Sequence, residues 1–361
     1  MKAEAAAASL LGGLTAVLVC RARWRRRPIV LFDPHFHVWD IREPEGYADT
    51  STLFSPEGAS VAGVYDAADF ERDWASLPPS FVLSGGVFVE AVSCCFKTKS
   101  PQQLAPHCLK EAEWVQAALA KSPGKKEYFL VATACLEDPS VGDVLAQLAA
   151  NKRVRGIRQV LNVSPDWPRN GANGLGELLD SQQWHEGYAK LAGVGFAFDL
   201  QLNPHQYQKG AALVKKHPDV PVIIDHLGTP TLADLQEPSS ASGDVGATYW
   251  RGMTALARAG PHVHLKISML CYIDPKWDEN ALVRAAVARL LRIFGPDRCF
   301  FASNYPVDLL AGQGAWTPDR LYPAFLTLAR EALQASRLPC DDATVRALFR
   351  DNARRAYGIG S

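Results

Sequence analysis

Two histidines, His35 and His37, close the apolar run that begins at Pro28, within the segment Phe32-Asp33-Pro34-His35-Phe36-His37-Val38-Trp39-Asp40. Side chains two apart in an extended strand face the same side, so the pair would converge on one cavity. Imidazoles placed in this way can grip a metal ion or an anionic substrate. A His-x-His pair also arises by chance or by packing beside Trp39. Its weight therefore depends on what else reaches the same cavity.

The elements that must position the pair are short apolar runs alternating with helix-compatible segments, the pattern of repeated βα units around a parallel sheet. The runs are Pro28 to Asp33, Val82 to Glu90, Tyr128 to Ala134, Val154 to Gln159, Val194 to Gln201, Pro221 to Asp225, Val263 to Lys266 and Arg298 to Ala302. Helical patterns fall at Cys108 to Lys121, Ser140 to Ala150, Asn203 to Lys216, Tyr249 to Ala259 and Glu279 to Phe294. Eight such units predict a (β/α)8 barrel, a TIM-type fold that typically needs about 250 residues. An open doubly wound sheet is the alternative, weakened because no Gly-x-Gly-x-x-Gly follows the first strand. The extra length falls in Ile41 to Ser80, expected as a long loop over the site, and in Pro230 to Gly246, expected as a mobile flap.

Barrels of this kind carry their chemistry at the C-terminal ends of the strands. There the sequence places His35 and His37, Glu90, Arg158 and Gln159, Asp199 and Gln201, Asp225 and His226, Lys266 and Ser268, and Ser303 and Asn304. Each has a plainer reading: Glu90 as a helix cap, Arg158 in a buried ion pair with Glu90, Lys266 as a satisfied barrel lysine. A whole rim of polar tips is harder to dismiss, because burying so many polar groups is costly unless they are paired or used.

The 361 residues are 48% hydrophobic, enough for a substantial core. Lys plus Arg and Asp plus Glu both number 38, so no global field favours nucleic acid or an anionic membrane, and a small-molecule substrate is expected. Eight cysteines without a CxxC pair fit a reduced compartment, cytoplasm or organelle. Residues 1–27 stand apart: an Ala-rich apolar stretch followed by Arg21, Arg23, Arg25, Arg26 and Arg27. An organellar leader, a weak membrane anchor and a splicing artefact all fit it. The fold is expected to occupy residues 28–361, with any membrane or import contact confined to the N-terminal segment.

The chain resembles the amidohydrolase-related proteins of the lactonase type, a branch that includes 2-pyrone-4,6-dicarboxylate and sugar-lactone hydrolases. The resemblance rests on the first-strand segment, Gly86-Val87-x-Val89-Glu90-Ala91, Glu113-Trp114-Val115 and Arg155-Gly156-Ile157-Arg158-Gln159. It continues through Phe198-Asp199-Leu200-Gln201, Ile224-Asp225-His226-Leu227-Gly228, Leu265-Lys266-Ile267-Ser268 and Phe301-Ala302-Ser303-Asn304-Tyr305-Pro306. Single matches are weak, but the ordered set spans Ile29 to Tyr357.

The resemblance implies a distorted (β/α)8 barrel that hydrolyses a lactone or a related small carboxylated ester. It places His35, His37 and His226 around the reacting carbonyl or around a divalent metal such as zinc. Three neutral imidazoles could ligate the ion and leave a position for water; without metal, protonated imidazoles would polarise the carbonyl by hydrogen bonding to the developing oxyanion. Arg158 suits a substrate carboxylate, Gln201 and Lys266 suit orienting donors, and Glu90 joins them among the substrate-binding candidates. The departure is at strand eight. The family pattern Ser-Asp-x-Pro supplies a general base, and this chain reads Ser303-Asn304-Tyr305-Pro306. An amide takes no proton at neutral pH. Asp199, Glu90 and Asp308, in that order, are the candidates to replace it, unless Asn304 only positions water or substrate. A zinc-dependent carboxy-lyase and a non-catalytic barrel are the other functional readings.

Overall fold

The computed structural model describes residues 27–40, 64–91, 100–122, 125–163, 177–236 and 245–360. Eight parallel strands follow one another around a single sheet: β1 Ile29–Phe36, β2 Phe81–Val89, β3 Glu127–Ala132, β4 Val154–Arg158, β5 Ala197–Leu200, β6 Val222–Ile224, β7 Val263–Ile267 and β8 Cys299–Phe301. Each pairs with the next in sequence, as expected for a (β/α)8 barrel. Their near-continuous apolar character follows from burial on both faces.

The helices on the outside are α1 Ala67–Trp74, α2 Pro101–Leu119, α3 Val141–Ala150, α4 Gln182–Val194, α5 Tyr207–Lys216, α6 Val245–Ala259, α7 Leu270–Ile273, α8 Ala281–Phe294, α9 Val307–Ala311, α10 Pro318–Ala335, α11 Asp342–Arg346 and α12 Asn352–Ala356. Local sequence sets several of their ends. Asp66 closes a capping box at α1, Asn280 accepts from two backbone N–H groups at the start of α8, and Gly195 takes the left-handed conformation (φ 71°) that ends α4. Helix α2 starts seven residues before the predicted Cys108, because Pro101 is tolerated in the first turn, where its missing N–H has no partner to lose.

The predicted loop Ile41 to Ser80 is only partly a loop. Val64–Tyr65 pairs antiparallel with Trp39–Asp40, and α1 follows; residues 41–63 lie outside the described residues. In the predicted flap Pro230 to Gly246, Thr231 and Asp234 make a side-chain-locked turn, with Thr231 N and Oγ1 both donating to Asp234, and α6 begins at Val245. Residues 237–244 lie outside the described set, as do residues 1–26 of the predicted leader.

The barrel closes without a full β1–β8 ladder. Phe36 and Tyr305 form a single parallel bridge, His37 N donates to Tyr305 O at 2.8 Å, and Asn304 N donates to His35 O at 2.8 Å. Below them the Asp33 carboxylate accepts from Ser303 N (2.9 Å) and Ser303 Oγ (2.5 Å). Tyr305-Pro306 is a cis peptide. On the other side of β1, Gly86 comes so close that a Cβ there would lie 2.3 Å from Asp33 O, which requires glycine. An inner cluster of Phe32, Val87, Val89, Phe129, Val131, Ile223 and Phe300 includes Ala353, Ala356 and Tyr357, so the C-terminal segment packs against the residues that fill the barrel.

Candidate active site

The predicted strand tips do meet. His35 and His37 rings lie 4.9 Å apart, and His35 and His226 rings 4.5 Å apart, all three almost wholly enclosed. His37 stands just beyond the end of β1, and His226 follows β6 on a backbone turned into the left-handed region (φ 54°), as is Asn304 after β8 (φ 53°). Such conformations cost of order 1–3 kcal/mol for a residue with a Cβ and persist only where the surroundings hold them. Here they swing the side chains from the strand ends into the rim.

Hydrogen bonds distinguish the three rings. His37 Nδ1 lies 2.8 Å from Val89 O; a carbonyl only accepts, so Nδ1 carries the proton and Nε2 the lone pair. Nε2 in turn lies 3.3 Å from Asn304 Oδ1. His226 Nδ1 lies 2.9 Å from Ser268 Oγ, and its Nε2 has no partner among the described residues. Both rings are pushed down to about 3, first by burial, with the Arg158 guanidinium adding to the effect. They are neutral imidazoles at neutral pH. His35 is also driven well below the ordinary histidine range, by burial and then by the Lys266 ammonium.

Beneath the rings lies a charged floor. Lys266 Nζ donates to Asp199, lies 3.0 Å from Asp225 Oδ1 and 3.0 Å from His35 Nδ1. Arg158 donates from Nε to Glu90 Oε1 (2.8 Å) and from Nη2 to Glu90 O (2.7 Å). Its Nη1 reaches Gln201 Oε1 (3.2 Å), Asp225 Oδ2 (3.5 Å) and His35 Nε2 (3.4 Å). Burial works to raise the Asp225 carboxyl, but Lys266 and His35 beside it hold it well below the carboxylate range. Burial raises Asp199 to about 6 against the pull of Lys266 and Tyr357, whose hydroxyl donates to both carboxylate oxygens at 2.8 Å.

These contacts revise several expectations. Arg158 is buried with its donors spent on Glu90, Gln201 and Asp225, so it is no open receptor for a substrate carboxylate, and Glu90 is its ion-pair partner. Asp199, first in line as replacement base, has zero exposure and is held by Lys266 and Tyr357, which leaves it no path to a water. Lys266 likewise lies wholly within the floor. Gln159 faces away, its amide bonded to Leu136 N, Trp184 Nε1 and Glu137. Gln201 Oε1 is taken by Arg158, and its amide N–H2 has no partner among the described residues. Tyr357 escaped the sequence reading, because nothing local marks a C-terminal tyrosine as reaching a strand-five aspartate. Ser268 was visible as a strand tip but not as the partner of His226.

Metal-ligand spacing is met by a different set from the three histidines. His35, Asp225 and His226 can bring one donor atom each within 4.8 Å of one another. The set does not fit a divalent ion as arranged. Both ring nitrogens of His35 face a cation, Lys266 or Arg158, and both oxygens of Asp225 do the same. A dication there would displace or stand against two fixed positive charges in a low-dielectric interior.

The family model described as Amidohydrolase matches residues 32–359. The chain belongs to the amidohydrolase family. Among curated relatives, this amidohydrolase is 29% identical over 340 residues to the uncharacterized protein y4mH of Sinorhizobium fredii, covering 92% of this chain and 99% of that one. It is 26% identical over 233 residues to an L-fucono-1,5-lactonase of Burkholderia multivorans, covering 58% of this chain and 73% of the lactonase. The fold is shared with a crystal structure of a Burkholderia multivorans amidohydrolase with bound zinc. That match has a TM-score of 0.63 and 21% identity, and covers 92% of this chain and all of the other. The family match and the lactonase-named relatives bear out the lactonase-type branch and the hydrolase expected from the sequence.

Proposed function

We propose that this amidohydrolase opens a neutral, hydroxylated lactone by adding water across its ester bond. The carrying observation is that two neutral imidazoles, His37 with its polarity fixed by Val89 O and His226 bonded to the Ser268 hydroxyl, share one rim above a floor whose two cations are already paired. The lactonase-named relatives support the substrate class.

His37 Nε2, with its lone pair fixed by the Val89 bond, takes a proton as water adds to the lactone carbonyl carbon. In this reading the Ser268 hydroxyl, 2.9 Å from His226 Nδ1, donates to it, which leaves Nε2–H of that ring to hydrogen-bond the carbonyl oxygen as it gains charge. The ring C–O bond then breaks, and its oxygen accepts the proton from His37, releasing a hydroxy acid. The N–H2 of Gln201 is placed to hold a substrate hydroxyl. Arg158 and Lys266 are committed to carboxylates of the protein and are not open to those of a substrate, which favours a sugar-type lactone over a carboxylated pyrone. A zinc-dependent carboxy-lyase draws no support from a donor set in which His35 and Asp225 already face cations.

The test is a panel of neutral sugar lactones and carboxylated lactones, assayed with wild type and His37→Ala. Neutral lactones should be turned over, and the variant should lose about 10²- to 10⁴-fold in kcat, the span a positioned base supplies. A folded wild type that opens no lactone, or a variant as fast as wild type, overturns the assignment.

A further inference from the structure

Asn304 stands where the family pattern has an acid, and one helical turn further on lies a carboxylate the scheme above does not use. Asp308, on α9, is 2% exposed, and Asn304 Nδ2 donates to its Oδ1 at 2.9 Å. The Asn304 amide is thus sandwiched, one end on Asp308 and the other 3.3 Å from His37 Nε2.

An amide has one donating end and one accepting end, which makes this sandwich a coupling. With Asp308 ionised, the N–H2 end must serve it, and the amide oxygen faces His37. That oxygen cannot bond the Nε2 lone pair, but it accepts a hydrogen bond once the ring takes a proton from water. With Asp308 protonated, its O–H donates to the amide oxygen, and the amide turns its N–H2 toward His37. The lone pair is then capped and no longer free to act as a base.

We propose that Asp308 is a positioning acid for hydrolysis, whose charge, relayed through the Asn304 amide, decides whether the His37 lone pair is open or capped. This rests on the reading of His37 as the base. The negative charge that the sequence lacks at 304 is therefore present four residues later, on the far side of an amide.

The surroundings suit a group that titrates in the working range. Asp308 is faced by Asn304 from its own turn, by Cys271 (whose thiol donates to the Asp308 carbonyl at 3.5 Å), Tyr272 and the Met269 backbone from the α7 region, and by Asp33 from β1. No cation is among them. Burial pushes the carboxyl up to about 7, with the bond from Asn304 drawing it back. The ionised form is the one that leaves His37 open, so kcat should rise with pH through about 7.

The experiment compares kcat and KM against pH for wild type, Asp308→Asn, Asn304→Asp and the exchange of both, on the lactone turned over fastest. Asp308→Asn should lower kcat at least ~10-fold with KM within ~2-fold, and remove the limb near pH 7. The double exchange should recover most of the lost rate, because an acid again meets His37, and Asn304→Asp alone should move the limb to lower pH. An Asp308→Asn enzyme that keeps the wild-type kcat and limb, or a double exchange no better than Asp308→Asn, overturns the proposal. If a folded wild type opens no lactone, the hydrolysis reading falls, and the relay is judged by unfolding at pH 6 and pH 8. In Asp308→Asn, His37→Gln and their double, coupling requires non-additive effects of at least ~3-fold in the unfolding equilibrium constant. Strict additivity would end the proposal.

Discussion

At the scale of single residues, the contact between Arg158 and Glu90 carries a lesson about what a polar strand tip means. Both were visible in the sequence, which offered a buried ion pair as the plainer reading and substrate binding as the functional one; in the fold they pair with one another, and Arg158 also meets Gln201 and Asp225. Sequence gives residue type and strand end, but not which donors are already spent. The arrangement makes a sharp prediction. Removing one partner of a buried ion pair leaves an uncompensated charge, so Glu90→Ala should cost about 3–5 kcal/mol in urea unfolding. Replacing both, as Glu90→Leu with Arg158→Met, should recover much of that loss. Recovery absent in the double variant would mean that the pair does more than balance charge. The histidines were more legible, because other strand ends carried polar tips toward the same rim. Their polarity was not, since it depends on Val89 O and Ser268 Oγ, which only the fold brings near.

Among elements, all eight barrel strands were readable from apolar runs, with ends off by a few residues. Val194, for instance, closes α4 instead of opening β5. What the runs could not reveal is how the barrel shuts. The seam between β1 and β8 is one bridge, two backbone hydrogen bonds and the Asp33–Ser303 latch, and its backbone partners include His35, His37 and Asn304. Closure and site are the same few residues. Burial raises the Asp33 carboxyl to about 6 despite the bonds from Ser303. A raised folded-state value means that this group's contribution is fully present below the unfolded value near 4 and is lost as pH rises through about 6. Relative to Asp33→Asn, wild type should therefore lose stability between pH 4 and pH 7, by at most about 1.4 kcal/mol per pH unit. Chemical denaturation across that range checks it, and parallel curves would show that the latch does not titrate.

For the whole molecule, neutral net charge and a large apolar fraction led to the expectation of a small-molecule substrate, and family membership shows a hydrolase. The charged floor is the global feature that composition could not disclose, since it draws on β2, β4, β5, β6, β7 and the C-terminal Tyr357. Because the Lys266 and Arg158 cations stand against His35 and Asp225, where a metal would have to bind, hydrolysis should survive prolonged treatment with a chelator. Titration calorimetry with zinc at neutral pH should show no stoichiometric site. Loss of activity on chelation, restored by zinc, would show that the two cations swing aside.

The bond from Tyr357 to Asp199 also has a bearing on biosynthesis. A ribosome makes β1 through β8 before Tyr357 leaves the exit tunnel, so a nascent barrel would hold Asp199 with Lys266 alone. The segment that carries Tyr357 therefore acts as a keystone set after the arch is standing. Nascent chains stalled before residue 357 should be more open to protease than those released with it in place.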